Sequence, residues 1–347
     1  MSKRAVLVGC GNMAGGWLRA LAEPDLAGRV DIVALVDVDP AAAEKLKSEF
    51  GLADAVVSTN LEGVLAELHP DILFDIAIPS ARKEIVLAGF RYGCDVLTEK
   101  PMATSLADAR ELNQAARRAG RVYAVTQNRR FKEGVRRARA TLDSEILGRI
   151  NAIHSDFFIG AHFGGFRDAM QHVLLLDMAI HTFDKARFLS GKDPRAVYCV
   201  EGNPASSWYA HGSVANAIFE FADDVIFTYR GSWSAEGSNT NWDASWRIIG
   251  SRGTLLWDGE SGFTARIVDG DEGFLRPLKD IEVLPHTSSG QIYGHASVIA
   301  EFLDAIESGR EPETSGRDNI KSLAMVFAAI ESAETRQRVL IAPEEAT

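Results

Sequence analysis

The residue types able to do chemistry in this chain fall into three short stretches. Asp177 and His181 stand four apart in the otherwise apolar run Val173-Leu-Leu-Leu-Asp-Met-Ala-Ile-His-Thr-Phe183. On an α-helix that spacing puts both on one face. A histidine held by a carboxylate suits proton transfer near neutral pH, and the same pair is equally compatible with a hydrogen-bonded core. Lys100 lies in Glu99-Lys100-Pro101, where the proline permits a cis bond and keeps Lys100 extended, so that its ammonium is aimed. The third stretch is Gly9-x-Gly11-x-x-Ala14, preceded by Ala5-Val-Leu-Val and followed by Trp17, Leu18 and Leu21 at helical spacing. It fits the strand–turn–helix fingerprint of a dinucleotide site. Gly9 permits the tight turn, Gly11 lets backbone N–H groups approach a pyrophosphate, and Ala14 lets the helix lie close to the sheet.

The elements that must position these residues alternate regularly over the first third. Ile32-Val-Ala-Leu-Val36 reads as a buried strand ending on Asp37, about twenty residues beyond the glycine turn, where a carboxylate accepts ribose hydroxyls and repels a 2′-phosphate. NAD is therefore expected over NADP. Asp39, just before Pro40, reads as a helix cap. Further strands are expected over 55–57, 72–78, 96–98 and 122–125, with helices over 40–50, 61–68, 83–92 and 105–119 between them. Such alternation implies an α/β fold with a doubly wound parallel sheet. Ligands in such sheets sit beyond the carboxyl ends of the strands, which places Gly9, Gly11, Asn12, Met13, Asp37, Pro79, Ser80, Glu99, Lys100 and Pro101 on one rim. Lys100 then stands where a nicotinamide ring is expected.

The texture changes after residue 126. Helices are expected over 132–142, 172–189, 294–308 and 319–339, a strand over 150–159, and mostly strands over 196–283. A run of strands after one helix points to an α+β domain with an open, mostly antiparallel sheet. The expected domains are therefore 1–126 for the dinucleotide and 127–347 for the substrate.

A chain of 347 residues accommodates two domains, and 46% hydrophobic with 24% charged residues is ordinary globular composition. A formal charge of −11 argues against nucleic acid or an acidic membrane as partner. Arg129-Arg130 and Arg136-Arg137-x-Arg139 are read as a solvated or ion-paired face. Cys10, Cys94 and Cys199 are too few and too scattered for a disulfide framework, and Cys10 and Cys94 read as packing residues in a reducing compartment. The apolar run after Lys3-Arg4 is too short for a signal peptide, and no run approaches the roughly eighteen apolar residues of a membrane span. A cytoplasmic protein with no membrane partner is expected. The histidines at 154, 162, 172 and 181 match no zinc spacing, so no metal is assigned, and no Gly-x-Ser-x-Gly elbow is present.

Taken together, these motifs resemble the Gfo/Idh/MocA family of oxidoreductases. The resemblance rests on Gly9-Cys-Gly11-Asn-Met-Ala14, Asp37, Glu99-Lys100-Pro101, Gln127-Asn-Arg-Arg-Phe131, Leu147-Gly-Arg-Ile150, Asp177-x-x-x-His181 and Gly250-Ser-Arg-Gly253-Thr-Leu255, and runs from about residue 4 to residue 341. It implies a Rossmann domain followed by an α/β domain whose sheet forms dimers or tetramers. It also implies hydride transfer between NAD(P) and a secondary alcohol or ketone of a sugar, inositol or related polyol. By position, Lys100 would contact nicotinamide ribose and substrate, His181 would be the acid/base, Asp177 would hold the reacting hydroxyl, and Gln127 would join the cofactor residues.

Two places depart from the family pattern and bear on which substrate is taken. Ala81-Arg82-Lys83 stands where many relatives have a histidine, and Gln171-His172-Val173 where many have glycines. His162, Arg167, His172, Trp233 and Tyr293 are the candidate substrate contacts, because aromatic and polar groups suit polyol faces and hydroxyls. A dinucleotide- or sugar-sensing relative without catalysis and an NAD-dependent glycoside hydrolase are the alternatives. Retention of both Lys100 and His181 favours an enzyme over the sensor.

Overall fold

The computed structural model describes residues 2–285 and 294–344. Contacts within the chain divide it into two compact units, Met1–Phe131 with Ser289–Ile320, and Lys132–Ser288 with Lys321–Thr347.

The first unit is built on strands β1 (Lys3–Val8), β2 (Val30–Val36), β3 (Val56–Ser58), β4 (Ile72–Asp75), β5 (Asp95–Thr98) and β6 (Tyr123–Val125), in the order β3-β2-β1-β4-β5-β6. Every pairing is parallel. The apolar runs of β1, β4 and β5 are almost wholly buried, as expected of strands covered on both faces. Strand order reverses between β1 and β4, and a crevice beyond the carboxyl ends opens at such a point. Helices α1 (Asn12–Leu21), α2 (Pro40–Glu49), α3 (Leu61–Leu68), α4 (Pro79–Arg91) and α5 (Leu106–Ala119) connect the strands. Asp39 caps α2 by accepting from Ala41 N at 3.0 Å, and Ser105 caps α5. Helix α4 begins four residues earlier than the apolar spacing predicts. Pro79 sits in its first turn, where a fixed φ and a missing N–H cost nothing.

The second unit holds helices α6 (Glu133–Asp143) and α7 (Ile180–Ser190) against one nine-stranded sheet. Its strands are β7 (Ile150–Phe158), β8 (Pro194–Gly202), β9 (Val214–Phe221), β10 (Ile226–Ser232), β11 (Ser245–Gly250), β12 (Gly253–Trp257), β13 (Phe263–Val268), β14 (Leu278–Ile281) and β15 (Val339–Leu340). The order is β14-β13-β12-β11-β7-β10-β9-β8-β15, and only β7 and β10 run parallel. The covered face is aromatic, with Phe227, Trp246, Trp257 and Phe263 stacked in turn at 5.8–6.4 Å. Lys185 is buried beside it, paired with Asp243 at 3.0 Å and lying over the Trp246 ring. The arginines read as an ion-paired face are absorbed in this way too: Arg139 pairs with Asp143 at 2.6 Å, while Arg136 and Arg137 lie over Phe188 and Phe263.

Helix α8 (His295–Ser308) returns to the first unit, where Ala296, Val298, Ile299, Phe302 and Leu303 join Ala14, Trp17 and Leu18 in one buried cluster. The sequence pattern, which runs one domain from 127 to the end, does not anticipate this return. Helix α9 (Gly316–Thr335) stops short of the expected 339, since Arg336 adopts a positive φ and Val339-Leu340 pair with β8 as β15. Among the described residues, no helix is long and apolar enough to cross a membrane.

Candidate active site

In the first unit the glycine turn has the geometry its residue types require. Gly9 has φ +93°, and a Cβ there would meet Ala77 N at 2.6 Å, so neither the conformation nor the space tolerates a side chain. At Gly11 the requirement is different. Its φ is −74°, and a Cβ would meet nothing within 4 Å, so the site keeps open room beside the start of α1. That helix has no side-chain cap and no acidic residue in its first turn, leaving its N–H groups to an incoming anion. Asn12 and Met13 are exposed there. Asp37 accepts from Cys10 N at 2.6 Å with one oxygen and from Asp39 N at 2.8 Å with the other. The carboxylate is half-exposed, and its remaining lone pairs are available for ribose hydroxyls. Gln127 is buried, yet neither polar atom of its amide has a hydrogen-bond partner among the described residues. These features fit NAD: a cradle without side chains, an uncapped helix start, a carboxylate one strand away and an unspent amide.

Lys100 is half-buried and forms a cis peptide with Pro101. Its backbone is tied on both flanks. On one, Lys100 N donates to Glu99 Oε2 at 3.2 Å, while Glu99 Oε1 accepts from Trp17 Nε1 at 2.8 Å and meets His295 Nε2 at 3.1 Å. Burial pushes the Glu99 carboxyl up, but the hydrogen bonds from His295 and Trp17 outweigh it and hold it below the ordinary range. Glu99 is 8% exposed, and its hydrogen bonds hold the Lys100 segment. On the other flank, Arg82 donates to Pro101 O at 2.5 Å. Pro79 and Ser80 are exposed at the start of α4.

The second unit supplies the other candidate residues. Leu174–Ala179 is one π-helical stretch before α7 rather than a continuous α-helix. Four residues there fall just short of one i→i+5 turn, so Asp177 and His181 keep the same side although the expected geometry differs. His181 is buried, and Asp177 is half-buried with its Oδ2 accepting from Arg167 Nε at 2.6 Å. Arg167 in turn lies over the rings of Phe163 and Phe166 at 5.0 and 4.8 Å. Phe163 packs on Trp233, and Trp233 on Tyr209, at 5.2 and 6.0 Å.

The remaining expected contacts are distributed unevenly. Trp233 is 2% exposed and packs behind Phe163, with its indole nitrogen buried and without a hydrogen-bond partner among the described residues. His172 has φ +49° and meets Glu201 at 2.5 Å through Nδ1 and Glu334 at 3.3 Å through Nε2, so its ring is committed within the protein. His162 is exposed, stacked on Trp208 at 3.6 Å and paired with Glu236 at 2.8 Å. Tyr293 lies outside the described residues. Cys10, Cys94 and Cys199 are buried, and burial pushes each thiol up to about 12, so they remain protonated. Trp17, His295, Phe163 and Trp208 pack on or bond to candidate residues and are not singled out as contacts by the sequence, which marks Arg82 only as a departure from the family pattern. His295 meets Glu99 across 196 positions of chain, a separation no local pattern spans.

Residues 3–127 match the oxidoreductase family with an NAD-binding Rossmann fold, and residues 135–256 match the GFO/IDH/MocA C-terminal domain. The chain belongs to the Gfo/Idh/MocA family. It is 25% identical to an inositol 2-dehydrogenase of Rhizobium meliloti over 99% of this chain and 100% of that one. It is 24% identical to a 1,5-anhydro-D-fructose reductase of Ensifer adhaerens over 95% and 96%. The structure of an oxidoreductase from Agrobacterium radiobacter, solved with NAD+, L-tartaric acid and magnesium, superposes with a TM-score of 0.85 at 21% identity, covering 98% of this chain and 99% of that one. The chain is thus an NAD-binding member of a family of sugar and polyol oxidoreductases.

Proposed function

We propose that this protein is a dehydrogenase that oxidises a secondary hydroxyl of a sugar, inositol or related polyol, with NAD preferred over NADP. Gly9, Gly11, Asn12 and Met13 would hold the pyrophosphate, Asp37 the adenosine ribose, and Pro79, Ser80, Pro101 and Gln127 the nicotinamide half. Bound NAD+ supplies the hydride acceptor. His181 takes the O–H proton, because a C–H hydride leaves readily only as the oxygen becomes an alkoxide. Lys100 stabilises that developing negative charge with its ammonium. Asp177, oriented by Arg167, holds the substrate by accepting from a hydroxyl beside the reacting one, whose own proton goes to His181. Arg167 and His162 are the remaining proposed substrate contacts.

The observation that carries this reading is a lysine at the nucleotide rim whose backbone is fixed from both sides. The functions printed for the inositol and anhydrofructose relatives support the substrate class. The test is NADH formation, followed by absorbance, over a panel of inositols, aldoses, anhydrosugars and sugar acids. Turnover of at least one polyol supports the reading. NADH binding with no turnover across the panel would replace it with a sensing role.

We also assign a homodimer or homotetramer in the cytoplasm. The row Tyr198, Ile218, Thr228, His154, Arg247 and Leu256 crosses the uncovered face of the second sheet in register. Tyr198 and Ile218 are 43% and 50% exposed, an apolar cost that a second copy of the sheet would relieve. Sedimentation distinguishes this from a monomer.

A further inference from the structure

Arg82 carries a charge that the chemistry above does not use. Its side chain is 1% exposed and that of Asp75, its partner at 2.8 Å, is wholly buried. Burying a guanidinium has a large desolvation cost unless its donors are satisfied, and here three are. Nε donates to Asp75 Oδ2, Nη2 to Ala77 O at 2.6 Å, and Nη1 to Pro101 O at 2.5 Å. Thr98 Oγ1 donates to the same Asp75 oxygen at 2.5 Å, adding a tie from β5. Asp75 and Ala77 mark the end of β4, whereas Pro101 directly follows Lys100. A planar guanidinium is a rigid fork, so gripping all three acceptors fixes them relative to one another.

We infer that Arg82 is a positioning residue for Lys100, setting through the Pro101 carbonyl where the Lys100 backbone stands against the end of β4. The inference rests on the reading of Lys100 as catalytic. An ammonium on a flexible stem cannot impose the same plane on three acceptors, so lysine is a poor replacement. The pyrophosphate and adenosine ribose would be held by the Gly11 turn and Asp37, neither of which Arg82 bonds, whereas Pro101, which it does bond, belongs to the nicotinamide end alone. Loss of Arg82 therefore falls mainly on turnover and changes dinucleotide binding little, because a displacement on the order of 1 Å at a catalytic group costs about a hundredfold.

The experiment compares Arg82→Ala, Lys100→Ala and the double variant, using the panel polyol that the unaltered protein oxidises fastest. Arg82→Ala is expected to lower kcat about a hundredfold, with NADH affinity by fluorescence titration within about threefold. The double variant should match Lys100→Ala within about threefold, since Arg82 acts through a group already removed. Added guanidinium ion should restore part of kcat to Arg82→Ala and none to the double variant. Where Arg82→Ala does not fold, Arg82→Lys takes its place in the same comparison. Unchanged kcat in the Arg82 variant, multiplying losses in the double variant, or NADH affinity falling together with kcat would each overturn the inference. Full turnover by Lys100→Ala would instead sink the reading of Lys100 itself.

Discussion

The two units hold their candidate residues by different means. In the first, the backbone does most of the work: a left-handed Gly9, an open Gly11, an uncapped α1 and a lysine whose neighbours are tied down. In the second, side chains do it: Asp177 leans on Arg167, Arg167 lies over Phe163 and Phe166, and Trp233 backs Phe163. Backbone sites suit a constant ligand such as a dinucleotide. Side-chain sites can be re-specified by exchanging single residues, which is what a family with varied substrates requires. The division predicts that changes in the first unit split into cofactor and chemistry effects, whereas those in the second affect chemistry and substrate alone.

The largest effects should come from the two groups assigned to the reacting hydroxyl. Lys100→Ala and His181→Ala are each expected to lower kcat at least about a hundredfold while NADH affinity stays within about threefold. An unchanged kcat in either variant removes that residue from the chemistry. Next comes Arg167→Gln, which deprives Asp177 of a charge-assisted hydrogen bond. Its kcat/KM should fall about tenfold with NADH binding untouched, the equivalent of about 1.4 kcal/mol. A fall in NADH affinity here would break the division between the units. Asp37→Ala should raise KM for NAD+ about tenfold and change KM for NADP+ much less, because the lost carboxylate binds one and repels the other. Equal effects on both would overturn its assignment. The smallest expected signal is in the thiols. A pKa of about 12 leaves on the order of one thiol in ten thousand ionised at pH 8, so a thiol-specific reagent should find none of the three cysteines in the folded protein. All three should react after denaturation, and rapid labelling of the native chain would contradict their burial.

How much was legible in the sequence follows the same division. Gly9, Gly11, Ala14, Asp37 and Lys100 could be read because their demands are local: a turn, a close approach, the end of a strand. The parallel order of the first sheet followed from alternation, and the open second sheet from its run of short strands. Arg82 and Glu99 could not be assigned their supporting roles, since their partners lie on neighbouring strands, on α1 and on a helix that returns nearly two hundred residues later. The π stretch at Leu174–Ala179 was equally hidden, because its apolar residues are compatible with either helical pitch. Arg167 and Asp177 were each singled out, but nothing in a ten-residue separation across a loop announces an ion pair. Trp233 and His172 were read as substrate contacts because residue type signals capacity for contact, while the packing of the first and the ion pairs of the second depend on distant partners.

The central claim is that Lys100 and His181 act in one chemical step. It is tested most directly by kcat of the Lys100→Ala/His181→Ala double variant against each single variant, with NADH binding measured in parallel. Groups that serve one step are strongly non-additive, so the double variant should lose no more than about threefold beyond the worse single variant. Losses that multiply across the two variants would show that the residues act independently, and would contradict the account.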